Sequence, residues 1–275
     1  MAGISASDVK KLREMTGAGM MDCKKALAEA GGDFEKAAEI IRKKGIAVAS
    51  KRADREATEG AVLAKVTGDA TRGAIVVLNS ETDFVAKNEG FVKFANSILD
   101  LALEKNPADL NELKELDMDG TKVAEQIMQQ TGIIGEKIDI SFYGKLEAAQ
   151  VVPYIHPGNK LSTLVGLNKK ADKQVGRDIA MQVAAMSPVS VDKDDIPQEV
   201  IDKEIEIGKE QARMEGKPEE LLERIAMGKL NKFYKESTLL NQDFTKDNKK
   251  TVRQYLQEQD KELTVTGFLR YGLGS

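Results

Sequence analysis

The sequence predicts an α+β protein with three parts: an N-terminal three-helix domain, a core of two α+β subdomains with antiparallel sheets, and a protruding antiparallel helical hairpin. Three observations predict this fold class. Apolar residues recur at helical spacing in residues 5–45, a strand–strand–helix pattern occurs twice between residues 60 and 190, and a highly charged segment at 197–234 carries apolar residues at heptad-like spacing. Each pattern has the period of the element that it predicts.

Length and composition limit the classes of function. A chain of 275 residues exceeds the usual size of one domain, so we expect two or three structural units. The formal net charge is −4 and aromatic residues make up 5% of the chain, whereas nucleic-acid binding calls for a concentrated basic stripe and, for single strands, aromatic platforms. We therefore expect protein partners and no direct binding of nucleic acid.

The sequence predicts a cytoplasmic protein without a cofactor. No apolar run approaches the roughly 18 to 20 residues that span a bilayer, so we expect no membrane association. Residues 1–5 lack the basic start and apolar middle of a signal peptide. The single cysteine, Cys23, excludes an intramolecular disulfide and leaves no cysteine cluster for zinc. We expect no metal site.

The first predicted domain, residues 1–46, consists of three short helices. Ser5 and Asp8 form a capping-box pattern at the first helix, and Gly45 is expected to end the third. A core of this size favours a binding module over a catalytic scaffold. Residues 47–59 follow as a helical or extended linker. One face of the second helix carries Met20, Cys23, Leu27 and Ala30.

A loop at residues 82–91 separates an apolar strand from an amphipathic helix. The strand is the β-branched run 73–78, and the helix carries apolar residues on a 3.6-residue period over 91–102. In the loop, the carboxylate of Asp83 is followed directly by the aromatic ring of Phe84. Loops held by rigid elements concentrate function, so these two are the first candidates for a functional site. The alternative is that Asp83 starts a turn and Phe84 packs under the sheet.

A weaker strand–strand–helix pattern recurs after two short helices predicted within 107–130. The repetition predicts two related subdomains, at residues 60–137 and 138–275. The helical hairpin at 196–235 is inserted in the second subdomain, and a final strand near 262–271 is expected to close the second sheet. The other strands predicted for the second subdomain are 138–143, 150–154 and 161–167.

Catalytic candidates are few. Cys23 and His156 are the only residues of their types, and Cys23 falls on an apolar helix face, where thiols pack as small hydrophobes. His156 lies in a Pro-Gly loop, an ordinary place for a solvated histidine. The glycines at 17 and 19 follow a helix rather than a strand and lack the lysine of a phosphate-binding loop. The sequence therefore offers no convincing catalytic set.

Two long motifs carry a resemblance to a known family. Residues 12–27 and 81–87 resemble, in order and spacing, signature segments of the bacterial elongation factor Ts family, and residues 134–138, 154–158 and 265–270 are similar to further segments of it. The resemblance covers essentially the whole chain. It implies that the N-terminal domain is ubiquitin-associated-like and that the hairpin is a candidate surface for a homodimer or a 2:2 complex.

The resemblance also implies a function: guanine-nucleotide exchange on the translation GTPase elongation factor Tu, whose Mg²⁺ and GDP binding the factor destabilises without covalent chemistry. It implies that Phe84 enters a gap between GTPase helices, that Asp83 positions the tip or perturbs the surroundings of the metal, and that Thr82 and Val85 frame them. The further partner contacts that it implies are Arg13, Met20, Met21, Lys24, Lys51, Ile134, Gly135 and His156.

Two other functions stay open from the sequence. The first is an interaction adaptor, with a three-helix peptide-binding module, a coiled-coil arm and no effect on nucleotide. The second is a hydrolytic enzyme built on Cys23 and His156.

Overall fold

The N-terminal part of the protein is a three-helix unit. The computed structural model describes residues 4–274; residues 1–3 and 275, which the predicted domains include, lie outside the described residues. The predicted capping box is confirmed, since the Ser5 and Asp8 side chains each accept from the other's backbone N–H. The helices are α1 (Ala6–Thr16), α2 (Met20–Glu29) and α3 (Phe34–Lys51). Their shared core consists of Val9, Leu12, Ala18, Cys23, Ala26, Leu27 and Ala37.

The first half of the core is a three-stranded antiparallel sheet covered by helices. In chain order its elements are β1 (Glu59–Val66), β2 (Arg72–Ser80), α4 (Asp83–Ala86), α5 (Glu89–Lys105), α6 (Leu110–Glu115), β3 (Asp117–Met118), β4 (Thr121–Lys122), α7 (Val123–Ile134) and β5 (Asp139–Glu147). The sheet order is β1-β2-β5. The predicted apolar stripe of α5 is confirmed, because its residues are buried against one face of this sheet.

The second half of the core also contains a three-stranded antiparallel sheet, of order β10-β7-β6. Its elements are β6 (Gln150–Ile155), β7 (Leu161–Leu167), α8 (Lys173–Met186), α9 (Gln198–Met214), α10 (Glu219–Ser237), β8 (Asp243–Phe244), β9 (Asp247–Thr251), α11 (Val252–Gln259) and β10 (Val265–Gly272). The predicted final strand closes this sheet by pairing with β7. All strand pairs within both sheets are antiparallel, and the predicted α+β class is confirmed.

One strand belongs to the other sheet from the one predicted. The sequence assigned residues 138–143 to the second unit, and this assignment is wrong: β5 pairs with β2 in the first sheet, with Val76 opposite Tyr143. Strand pairing is a long-range property that local periodicity does not reveal. The two sheets also share an apolar layer, in which Val62 and Ile75 of the first meet Val151 and Leu164 of the second. The division at residue 137 stays a hypothesis about domains.

The third helix does not end where the sequence predicted. Gly45 lies inside α3, which continues to Lys51. The expected stop at Gly45 is wrong because this glycine serves a helix crossing: a Cβ added to it would lie 3.5 Å from the Cα of Gly132 on α7. Two glycines at one crossing let the helix backbones approach closely. The N-terminal unit is therefore joined to the core by a continuous helix packed on α7.

The predicted hairpin is confirmed as an antiparallel pair of helices, α9 and α10. Gly208 and Ala212 of α9 are buried against Leu222, Ala226 and Leu230 of α10. The two helices contact each other far more than they contact the core. Among residues 4–274, no helix combines the length and apolar character needed to cross a membrane.

Candidate functional site

The predicted loop residues form a single helical turn that presents an aromatic ring to solvent. We call residues 82–87 the Phe84 turn. Its side chains divide sharply: Val85 packs against the core of the first sheet and Ala86 is buried, whereas Phe84 is 84% exposed. Thr82 caps the turn by accepting a hydrogen bond from the backbone of Val85 at 3.4 Å. The alternative that Phe84 packs under the sheet is wrong.

The start of the turn is fastened to the loop that follows α7. The backbone N–H of Thr82 donates to Oε2 of Glu136 at 3.0 Å, and its hydroxyl donates to Oε1 at 2.7 Å. Gly135 ends α7 with a left-handed backbone, φ +80°, a conformation that glycine adopts without steric cost. This turn of the chain directs Glu136 towards Thr82.

A second carboxylate, that of Glu81 before the Phe84 turn, contacts the loop after α7 in return. Oε1 of Glu81 accepts from the backbone N–H of Lys137 at 2.7 Å and from the Arg52 guanidinium at 2.7 Å. The Lys137 backbone bond, with help from Arg52, holds the pKa of Glu81 below its usual value. The Lys137 ammonium donates to the carbonyls of Ala53 and Arg55. The loops are thus tied to the segment that leaves α3.

Charges around the tip hold Asp83 in its ionised form. Its Oδ2 accepts from Nζ of Lys87 at 2.6 Å, and this bond lowers the pKa of Asp83; the nearby charge of Lys160 acts in the same direction. Lys160 itself pairs with Glu59 at 2.8 Å. Because Lys160 belongs to the β6–β7 loop, that loop lies beside the Phe84 turn.

His156 sits exposed in the same β6–β7 loop. Its Nδ1 is 2.9 Å from the hydroxyl of Tyr154. The loop is fixed on both sides, since the N–H of Val62 donates to the carbonyl of Asn159 at 2.7 Å and the N–H of Leu273 donates to that of Lys160 at 2.9 Å. The structure therefore brings His156 and Asp83 to one side of the core.

The predicted residues of the N-terminal unit form a separate exposed group. Arg13, Lys24 and Lys51 are exposed, and Met20 and Met21 are 61% and 64% exposed. The sequence placed Met20 on the apolar face of α2, which is wrong. Met20 is the first residue of that helix, and helical side chains tilt towards the N-terminus, so it projects beyond the bundle.

Ile134 and Gly135 differ from the other predicted contacts. Ile134 is half-buried and packs against the core of the first sheet, and Gly135 provides the helix end described above. Both lie directly before Glu136, so the structure brings them to the base of the Phe84 turn rather than to its tip.

Comparison with known proteins gives the family. The sequence model described as Elongation factor TS matches residues 81–275. The chain is 50% identical over 276 residues to Elongation factor Ts of Christiangramia forsetii, covering 100% of both chains. It is 52% identical over 275 residues to Elongation factor Ts of Amoebophilus asiaticus, covering 99% of both, and 52% identical over 274 residues to that of Porphyromonas gingivalis, again covering 99% of both.

The chain belongs to the elongation factor Ts family. It is therefore a factor of translation elongation, as the sequence motifs implied. The matched range includes the Phe84 turn, the end of α7 and the β6–β7 loop. The N-terminal contact candidates precede that range, but the full-length relatives of the elongation factor Ts family align with them as well.

Sequence reasoning missed the residues that hold the site together. Glu81, Glu136, Lys137 and Arg52 were not predicted, although the first three lie within motifs shared with the elongation factor Ts family. For Glu81 and Glu136, the sequence signal is a carboxylate within such a motif and next to a loop. Met15 was missed as well: its side chain is 57% exposed, similar to those of Met20 and Met21.

The residues proposed for hydrolysis do not form a site. Cys23 is fully buried in the N-terminal core, where its thiol contacts the carbonyl of Ala18 at 3.6 Å, while His156 belongs to the β6–β7 loop of the core. Among residues 4–274, no three His, Cys, Asp or Glu side chains are grouped so that they could hold a metal ion.

Proposed function

We propose that this protein is a guanine-nucleotide exchange factor that binds the GTPase elongation factor Tu, destabilises its Mg²⁺ and GDP binding, and so lets GDP leave and GTP enter. The observation that carries the proposal is Phe84, an aromatic side chain that is 84% exposed on a turn whose residues Thr82 and Val85 are held by the core. Single exposed apolar residues are common. A large aromatic ring on a turn that is held in place is, however, well suited to insert into a cavity of a partner protein.

The proposed reaction needs no covalent step by this chain. In GTPases of this kind the nucleotide is held by a phosphate-binding loop and by Mg²⁺ that bridges phosphate oxygens to the protein. A factor that binds the nucleotide-free state more tightly than the nucleotide-bound state accelerates release. Because coupling free energies are reciprocal, nucleotide weakens the binding of the factor by the same ratio.

Each residue of the Phe84 turn has a part in this proposal. Phe84 inserts between helices of the GTPase and shifts the elements that support its Mg²⁺ site. Asp83, kept ionised by Lys87, positions the tip and perturbs the electrostatic surroundings of the metal. Thr82 and Val85 anchor the turn to the core.

The remaining contacts extend the surface in two directions. His156, with Ile134 and Gly135 behind the turn, completes the contact of the core. The exposed residues of the N-terminal unit bind the nucleotide domain of the GTPase and so hold the factor in place: Arg13, Met20, Met21, Lys24 and Lys51.

The wider organisation is proposed on the same basis. We assign residues 1–46 to GTPase binding, 47–59 to a linker, and 60–137 and 138–275 to the core subdomains. The proposed location is the cytoplasm, with no direct contact to nucleic acid or membrane. The hairpin at 196–235 is a candidate surface for a homodimer or a 2:2 complex, and sedimentation of the protein alone and with elongation factor Tu distinguishes the two from a 1:1 complex.

The proposal is tested by the release of a fluorescent guanine nucleotide from elongation factor Tu in a stopped-flow instrument. We expect the release rate to rise with the concentration of this protein and to reach a plateau. An unchanged rate with this protein in excess, together with complex formation in sedimentation, would instead identify an adaptor.

A further inference from the structure

Two carboxylates cross between the loops at the base of the Phe84 turn. Glu136 of the α7–β5 loop accepts both the N–H and the hydroxyl of Thr82, at 3.0 and 2.7 Å. Glu81, the residue before Thr82, accepts the backbone N–H of Lys137, the residue after Glu136, at 2.7 Å. We call this pair of reciprocal contacts the crossed clasp.

The Phe84 turn cannot hold its own conformation. It consists of four helical residues, Asp83–Ala86, and one isolated turn of helix is unstable in water because nucleation costs more than its few hydrogen bonds return. Phe84 itself adds no packing, being 84% exposed. What fixes the turn is the packing of Val85 and Ala86 at one end and the clasp at the other.

Of the two carboxylates in the clasp, Glu136 holds the turn more directly, because both of its hydrogen bonds come from Thr82. It receives two hydrogen bonds from a single residue, one from backbone and one from side chain, and hydrogen bonds to an ionised acceptor are stronger than neutral ones. The hydroxyl of Thr82 also accepts from the backbone of Val85, and its carbonyl accepts from Ser80 at 2.9 Å. Glu136 thus sets the orientation of the residue that caps the turn.

We propose that the crossed clasp holds the Phe84 turn in the conformation that acts on the GTPase, and that Glu136 is a positioning residue for nucleotide exchange. This inference rests on the proposed function. Glu136 touches neither nucleotide nor metal; it acts through Thr82 on the direction of Phe84. Preorganising a recognition element raises its effect because less ordering entropy is lost on binding.

The test compares four proteins in the nucleotide-release assay: wild type, Glu136→Ala, Glu136→Gln and Glu125→Ala. Glu125 of α7 is the control, because its carboxylate pairs with Arg42 at 3.0 Å and makes no hydrogen bond to the Phe84 turn. We expect Glu136→Ala to lower the plateau release rate roughly tenfold. Glutamine can accept from the N–H and donate to the hydroxyl oxygen of Thr82, so Glu136→Gln should restore most of the rate. Glu125→Ala should behave as wild type.

A double mutant separates positioning from mere stability. If Glu136 works through Phe84, then Phe84→Ala should cost little more once Glu136 is alanine, so that the two effects do not multiply. Backbone amides 83–87 should exchange hydrogen faster in Glu136→Ala, while the midpoint of global unfolding stays close to that of wild type.

The outcomes are distinct. If the wild-type protein does not accelerate nucleotide release, the proposed function and this inference are both overturned. Acceleration by wild type with an equal rate for Glu136→Ala overturns the positioning role alone, as do effects of Phe84→Ala and Glu136→Ala that multiply. If Glu136→Ala does not fold, Glu136→Gln decides: a rate as low as that of Phe84→Ala would contradict the hydrogen-bonding role.

Discussion

Phe84 and Phe91 are seven residues apart in the sequence and differ in burial. Phe91 is buried in the core of the first sheet, whereas Phe84 is 84% exposed. Burial of a large apolar side chain stabilises a fold by about 1.5–3 kcal/mol, and Phe84 forgoes this gain. Phe84 therefore adds little to the stability of the chain.

This difference predicts two different results of alanine substitution. Phe84→Ala should change the free energy of unfolding by no more than about 0.5 kcal/mol, as for other surface changes. Phe91→Ala should lower it by about 3–5 kcal/mol, because a cavity is left in the core. Urea unfolding followed by circular dichroism measures both. A comparable loss in the two variants would contradict the exposed position of Phe84.

Asp178 is a buried carboxylate that stabilises the second half of the core. It accepts hydrogen bonds from Lys246 at 2.6 Å, Gln174 at 2.6 Å and Tyr255 at 3.0 Å. Burial alone raises the pKa of such a group, but here the three donors outweigh it and the pKa lies below the usual 3.8. The stabilisation is therefore complete well above the usual pKa of 3.8 and is lost as the pH falls through the lowered pKa.

Asp178→Asn should accordingly lower the free energy of unfolding by about 1–2 kcal/mol at pH 7, since bonds to a charged acceptor are replaced by neutral ones. The difference from wild type should shrink below pH 3.8, where the wild-type carboxylate takes up a proton. Unfolding curves at pH 7, 5 and 3 test this. A difference that stays constant over this range would show that the charge of Asp178 is not responsible.

At the scale of elements, the crossing of α3 and α7 fixes the N-terminal unit to the core. Gly45 and Gly132 meet there. The crossing is asymmetric. A Cβ on Gly45 would make ordinary contact at 3.5 Å, whereas one on Gly132 would lie 2.9 Å from the carbonyl carbon of Gly45 and overlap its Cα.

Opposite effects are predicted for the two alanine substitutions. Gly45→Ala should be neutral or stabilising by up to about 1 kcal/mol, because alanine favours a helix. Gly132→Ala has the same helix preference but meets backbone that has to move, and overpacking of this kind costs about 1–3 kcal/mol. The midpoints of thermal unfolding of the two variants test this, and each variant is the control for the other. Equal midpoints would contradict the close crossing.

The elements differ in how well the sequence predicts them. The stripe of α5, the hairpin and the strand at 161–167 follow local periodicity, so their positions were predictable. The partner of β5 and the continuation of α3 through Gly45 were not, because both depend on residues distant in the sequence, β2 and Gly132. For the same reason Asp83 and Phe84 were predictable as a site from their loop, while Glu136, 54 residues from Thr82, was not.

At the scale of the whole molecule, the chain presents two exposed groups on one connected scaffold. The N-terminal unit carries Met20 and Met21, and the core carries the Phe84 turn. The segment after α3 links them, since Arg52 binds Glu81 and the carbonyls of Ala53 and Arg55 accept from Lys137. A partner that contacts both groups is therefore held at a defined distance from the aromatic tip.

The central claim is that Phe84 drives nucleotide release, and the plateau release rate from elongation factor Tu with Phe84→Ala in excess tests it most directly. A central aromatic contact contributes about 2 kcal/mol, so we predict a plateau roughly thirtyfold below wild type. Val189→Ala, which removes another exposed apolar side chain in the segment between α8 and α9, should match wild type. A Phe84→Ala protein that releases nucleotide at the wild-type rate would contradict the account.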